Sequence, residues 1–137
     1  MTTEKNLNAP EPAPTEGSGA EVWQLVIDDA KRCVGTIRAQ PTWLIADMRA
    51  RNEAGVAKYG TSLRVWNGRD AVVDAYQEGL DGMVYARQAG ERALAFGKKD
   101  EVLLMRHVFS LFAEATVLLG KLARKEDGYE VPKEPPK

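Results

Sequence analysis

A segment at residues 69–96 constrains the fold most, because it carries an acidic stripe and a small-residue stripe on one predicted helix. At about 100° per residue, each stripe occupies one face. A glycine inside a helix costs about 1 kcal/mol relative to alanine, and close packing of a second helix would offset that cost. We therefore predict a close helix contact, placed across a subunit interface. The acidic stripe contains Asp70, Asp74, Glu78 and Asp81, and the small-residue stripe contains Ala75, Gly79, Gly82, Ala86, Gly90 and Ala93.

Three other segments also have helical spacing. The first, AEVWQLVIDDAKRCVGTI at residues 20–37, is predicted to be helical, although its WQLVI could also form a buried strand. The second begins near Pro41 and ends near Gly60, because proline suits a first helical turn and glycine a C-terminal stop. The last, about residues 99–124, is apolar apart from a narrow polar stripe, which predicts packing on several sides. Four helices predict an all-α, four-helix bundle-like fold, completed by further subunits as a dimer or tetramer.

The two ends of the chain carry few side chains that a core could bury. Residues 1–19 and 126–137 are rich in proline, glutamate and other polar or small residues, so we predict disordered tails. The helical domain accordingly spans residues 20–125. We expect both tails to be dispensable for stability.

The composition of the chain limits which partners it is expected to bind and in which cellular compartment it is expected to occur. Nineteen basic and twenty acidic residues give the 137-residue chain a formal net charge of −1, which makes no electrostatic case for binding nucleic acid or an anionic membrane. No apolar run reaches the roughly 18 residues that span a bilayer, and the N-terminus carries no signal segment. Cys33, the only cysteine, is predicted to be a small core residue in a reducing compartment. We therefore expect a soluble cytoplasmic protein.

The acidic stripe lacks the lysine or arginine that commonly follows an acid by three or four residues. One interpretation is a solvated face. The other is a metal site, because carboxylates hemmed in by packed faces need a counter-charge. Oxygen ligands suit a hard divalent cation, Mg²⁺ or Mn²⁺, and Glu78 and Asp81 can both reach one ion, with Asp74 one turn away.

The sequence DAYQEGLDGMVYARQ at residues 74–88, preceded by KYGTSLRVWNGRD, resembles the MazG-like, all-α NTP pyrophosphatase group, especially its small phage-borne members. The likeness covers about residues 44–90. It implies Mg²⁺-dependent hydrolysis of (deoxy)nucleoside triphosphates to the monophosphate and pyrophosphate. It also implies that Glu78 and Asp81 are the catalytic, metal-binding E-x-x-D pair. For a phage-borne member, the compartment would be the host-cell cytoplasm.

The helix before the acidic helix departs from this group. The group's E-x-x-E has no counterpart there, because that helix offers Asp47 and Glu53, about 120° apart on the helix. Asp47 is retained as a candidate metal ligand. Because part of the group's set of metal-binding carboxylates is missing here, a second hypothesis stays open. It is a non-catalytic helical module that binds or sequesters a nucleotide or docks a protein. A third hypothesis is a purely structural bundle.

The segment between these two helices supplies groups that suit a nucleotide. Cationic side chains would contact phosphates and flat aromatic rings would contact a base, whereas the alternative is an ordinary loop with its aromatics in the core. Asn67 and Gly68 form a strong turn pair. The P-loop pattern G-x-x-x-x-G-K-[ST] is absent from the sequence. The predicted nucleotide-binding residues are Lys58, Tyr59, Arg64, Trp66, Asn67 and Arg69.

Overall fold

The structure is a computed structural model that describes residues 6–32 and 42–137. Helix accounts for 63 % of this part of the chain, so the predicted all-α class is confirmed. The segment WQLVI lies in a helix and not in a strand. The predicted roles of Cys33 and Pro41 lie outside the described residues. The elements follow the order β1 (Ser18–Glu21), α1 (Val22–Lys31), α2 (Thr42–Tyr59), β2 (Arg64–Trp66), α3 (Ala71–Ala95) and α4 (Lys99–Ala123).

The chain divides into two compact units. The first contains Met1–Glu11 and Asp70–Pro132, and the second contains Pro12–Arg69 and Lys133–Lys137. The helices α3 and α4 pack on each other in the first unit. In the second unit, β1 pairs antiparallel with β2 and leads directly into α1. The single helical domain predicted over residues 20–125 is thus divided between two units.

The start of α3 is fixed by Asp70. Its carboxylate accepts hydrogen bonds from the backbone amides of Val72, at 3.1 Å, and Val73, at 3.2 Å. These amides have no partner inside the helix, so an aspartate at this position stabilises the first turn as an N-cap. Asp74 lies in the same first turn, where the positive end of the helix dipole favours a negative charge. The beginning of the acidic stripe therefore has a structural explanation.

The small-residue stripe of α3 faces α4 of the same chain. The two 25-residue helices are joined by a short turn at residues 96–98 and run antiparallel. A Cβ added at Gly79 would collide with the side chain of Thr116, and one added at Gly82 would collide with the ring of Phe112. The predicted close helix contact is therefore confirmed, but its predicted position across a subunit interface is wrong. The short turn folds the next helix of the chain back onto the stripe.

Residues 6–11 pack on α3, in contrast to the disordered tail predicted for residues 1–19. Leu7 is only 5 % exposed. The side-chain amide of Gln77 donates hydrogen bonds to the backbone carbonyls of Leu7, at 2.8 Å, and Ala9, at 2.9 Å. The end of the predicted tail also contributes to β1. Composition does not reveal these contacts, because they depend on a single leucine and on backbone groups.

The substitution Leu7→Ala is expected to lower the free energy of unfolding by about 2 kcal/mol, because it removes most of a buried side chain. The matched control is Val131→Ala near the C-terminus, where the side chain is 48 % exposed and the expected change is within about 0.5 kcal/mol. Urea denaturation of the full chain measures both. Equal stability of the Leu7 variant and the wild type would show that the N-terminal segment does not stabilise the fold.

By length and composition alone, α4 could cross a membrane, since it contains an 18-residue window with a mean hydropathy of 1.7. The sequence prediction of no spanning run concerned uninterrupted apolar stretches, and charged residues such as Arg106 and Glu114 interrupt the apolar residues of α4. Only 11 % of the window is buried within the chain. The helix is therefore apolar over surface that its packing on α3 leaves exposed.

Candidate functional site

The predicted metal ligands of α3 lie along one face of the helix, in the first unit. Asp74 is half-buried in the first turn, whereas Glu78 and Asp81 are exposed further along. Within residues 6–32 and 42–137, Glu78 and Asp81 form no salt bridge or side-chain hydrogen bond. The acidic stripe therefore has two parts, an N-terminal part that stabilises the start of the helix and a central pair without a protein cation.

The basic residues of α3 do not neutralise this central pair. The guanidinium of Arg87 lies 2.6 Å from the carboxylate of Glu91, so these two side chains pair with each other. Like charges three or four residues apart on a helix repel one another. Glu78 and Asp81 therefore present a local negative potential to solvent, which an external cation would relieve.

The spacing along α3 limits how many of these acids can hold one ion. At about 1.5 Å of rise per residue, Asp74 and Asp81 are about 10 Å apart along the helix axis, whereas Glu78 and Asp81 are about 4.5 Å apart. Consistent with this spacing, the described residues contain no group of three His, Cys, Asp or Glu side chains placed to hold a metal. One ion would reach Glu78 together with one neighbouring acid, and water or substrate oxygens would complete its coordination.

Asp47, the remaining predicted ligand, lies on α2 in the second unit and is exposed. It belongs to a different unit from the acids of α3, and its participation in metal binding stays a prediction. Glu53 is also exposed on α2.

Arg64, predicted to contact phosphate, binds β1 in the structure. Its guanidinium donates a hydrogen bond to the carbonyl of Gly19 at 3.0 Å and lies 3.6 Å from the carboxylate of Glu21. Trp66, from the same strand, is half-buried and its ring lies against Gly19. Both residues therefore hold the two-stranded sheet together, and their predicted contact with a nucleotide stays a prediction.

Asn67 and Arg69 have a similar structural role in the second unit. Asn67 is 7 % exposed, and its side-chain oxygen accepts a hydrogen bond from the backbone amide of Arg69 at 3.1 Å. Its backbone carbonyl accepts one from the amide of Thr15 at 2.9 Å. The guanidinium of Arg69 donates to the carbonyl of Pro12 at 2.7 Å. These bonds fix residues 12–15 on the turn, a role that sequence reasoning missed because the partners are about 55 residues away.

Lys58 and Tyr59 at the end of α2 remain accessible to a ligand. Tyr59 is 51 % exposed, and the ammonium of Lys58 lies 5.0 Å from the centre of its ring. Gly60 follows with a positive φ of 76°, a backbone conformation that suits glycine and ends the helix. Among the predicted nucleotide-binding residues, these two have the most exposed polar and aromatic groups.

No family model, curated protein or solved structure matches the chain. The resemblance of residues 44–90 to MazG-like pyrophosphatases therefore stays a prediction from the sequence.

Proposed function

We propose that the protein is a Mg²⁺-dependent nucleoside triphosphate pyrophosphohydrolase, which converts (deoxy)nucleoside triphosphates to monophosphate and pyrophosphate. The observation that carries this proposal is the central acidic pair of α3. Glu78 and Asp81 lie one turn apart, exposed, and without a salt bridge among the described residues. A divalent cation bound to a triphosphate is a counter-charge that suits such a pair.

The donor set of α3 fits a hard cation, because all of its candidate ligands are carboxylate oxygens. When bound, Mg²⁺ would supply charge neutralisation for the phosphates and polarise the reacting phosphoryl group. Glu78 and Asp81 would hold it, and Asp74, one turn before Glu78, would accept a hydrogen bond that orients water. The predicted contacts of Lys58 with a phosphate and of Tyr59 with a base stay predictions.

A non-catalytic helical module, which binds or sequesters a nucleotide or docks a protein, is the alternative, and the contacts of the two arginines count against phosphoryl transfer. The guanidinium groups of Arg64 and Arg69 donate hydrogen bonds to the backbone carbonyls of residues 19 and 12. The N–H groups that make these bonds are therefore not directed at a phosphate. An enzyme that stabilises the charge of a phosphoryl-transfer transition state normally aims such groups at it.

Incubation with a panel of NTPs and dNTPs, in Mg²⁺ and in EDTA, tests the proposal. The expected products are the monophosphate and pyrophosphate in equal amounts, resolved by anion-exchange chromatography, and only in the presence of metal. Formation of the nucleoside diphosphate and inorganic phosphate would indicate a different hydrolase. If no nucleotide turns over but one of them binds in equilibrium dialysis, the binding module replaces the enzyme.

A further inference from the structure

The contact between α3 and α4 is closed in its middle and looser near the turn that joins the two helices. At Gly79 and Gly82, an added Cβ would collide with side chains of α4. At Gly90, nearer the turn, the nearest neighbour of an added Cβ would be the Cβ of Met105, at an ordinary contact distance of 3.6 Å. The two helices therefore leave space between them at this end of the small-residue stripe.

A groove of about 460 Å³ occupies this space between α3 and α4. Its volume lies within the range of small-molecule sites, about 300–1,000 Å³, and such sites are mostly apolar. The apolar lining extends over residues 86–94 of α3 and 102–109 of α4, which corresponds to about 10–12 Å along the helix axes. The groove is therefore elongated and suits a linear apolar chain. Its apolar lining residues are Ala86, Gly90, Leu94, Val102, Met105 and Phe109.

Charged side chains border the groove on both helices. On α3, Arg87 and Glu91 lie 2.6 Å apart and neutralise each other. On α4, Arg106 borders the groove, and within residues 6–32 and 42–137 its side chain forms no ion pair or hydrogen bond. The border of the apolar groove therefore carries one uncompensated positive charge.

We propose that this groove binds a linear alkyl chain that ends in a single carboxylate, as in a medium-chain fatty acid. The alkyl chain would lie along the apolar lining, and the carboxylate would pair with the guanidinium of Arg106, which matches its planar geometry. One uncompensated cation balances the single charge of a carboxylate, whereas a phosphate monoester carries about two charges.

The groove is separate from the proposed metal site, so the proposal is independent of the proposed function. Gly90 follows Asp81 by nine residues, which places the two on opposite sides of α3 at about 100° per residue. A ligand in the groove would therefore not contact the acidic stripe.

Isothermal titration calorimetry of the full chain with decanoate tests the proposal. The expected result is one decanoate bound per chain. Octanoate, which is shorter by two methylene groups, should bind on the order of tenfold more weakly, because each buried methylene strengthens binding about fourfold. Decyltrimethylammonium has the same alkyl chain with a positive head group, and it should not compete with decanoate.

Two variants with matched controls locate the site. Gly90→Leu places a side chain in the groove and should abolish decanoate binding, and its helix should remain folded because leucine has the higher helix propensity. Gly55→Leu on α2 is the control and should bind like the wild type. Arg106→Gln should raise the dissociation constant about two- to fivefold, the contribution of an exposed ion pair. Arg92→Gln, at an exposed arginine of α3 that does not line the groove, should leave the constant unchanged.

Several results would overturn the proposal. They are no binding of decanoate to the wild type, wild-type affinity in a folded Gly90→Leu variant, and an unchanged dissociation constant in Arg106→Gln. Competition by decyltrimethylammonium would show that the groove does not select an anion. A dissociation constant that rises with protein concentration would show that a second copy of the chain covers the groove. If circular dichroism shows that Gly90→Leu does not fold, Arg106→Gln decides, since Arg106 is exposed and its replacement removes no core packing.

Discussion

Replacing Gly79 with leucine is expected to lower the free energy of unfolding by about 1–3 kcal/mol, because the contact between α3 and α4 has no space for a side chain. A Cβ at this position would already collide with Thr116, which is 5 % exposed and whose hydroxyl is bonded to the carbonyl of Phe112 at 2.6 Å. The hydroxyl of Thr116 can turn away from the added side chain only by breaking this hydrogen bond in a buried position. Thermal and urea denaturation of the full chain measure the effect.

The same substitution at two other glycines provides the comparison. Gly82→Leu should cost less than Gly79→Leu, because the ring of Phe112 that it meets is 39 % exposed and can turn toward solvent. Gly55→Leu on α2 meets nothing within 4 Å and should be neutral or stabilising by up to about 1 kcal/mol through helix propensity. Equal effects at Gly79 and Gly55 would mean that the small-residue stripe does not pack on α4.

The second large effect is expected from Glu78→Gln, which keeps the shape of the side chain and removes its charge. In EDTA the variant should be at least as stable as the wild type, because one source of repulsion along the acidic stripe is gone. With Mg²⁺ it should gain less stability than the wild type. It should also lose pyrophosphatase activity by at least about 10–100-fold, the range that loss of a supporting metal-site group already produces.

Glu114→Gln is the matched control for this change, since Glu114 is an exposed glutamate on α4 outside the acidic stripe. The control should behave like the wild type in both buffers and in the activity assay. A solvated acidic face predicts the same near-neutral result, within about 0.5 kcal/mol, for both variants. Activity retained by Glu78→Gln would remove Glu78 from the proposed metal site.

The positions of the long helices were predictable because their periodicity is strong and their ends carry recognisable signals. The sequence placed the third helix at about residues 69–96 and the structure places it at Ala71–Ala95. The aspartate that caps it, Asp70, stands directly before an apolar run, which is a readable N-cap signal. That signal assigns Asp70 to the helix start and separates it from the candidate metal ligands.

The partners of these elements were harder to predict. The small-residue stripe indicates that a helix packs closely, but the sequence does not say whether that helix belongs to the same chain. The bonds of Arg64 and Arg69 to residues 12–19 depend on the path of the N-terminal segment, which has no periodic pattern to reveal it.

The melting temperature of the wild-type protein, with and without Mg²⁺ and in the presence of a non-hydrolysable nucleoside triphosphate, tests the proposed metal site most directly. A cation and nucleotide that bind only the folded state at 100 times their dissociation constant add about 2.7 kcal/mol of stability. For a chain of this size, that corresponds to a rise on the order of 5–10 °C. The account predicts this rise for the wild type and a smaller one for Glu78→Gln. An unchanged melting temperature of the wild type would contradict the account.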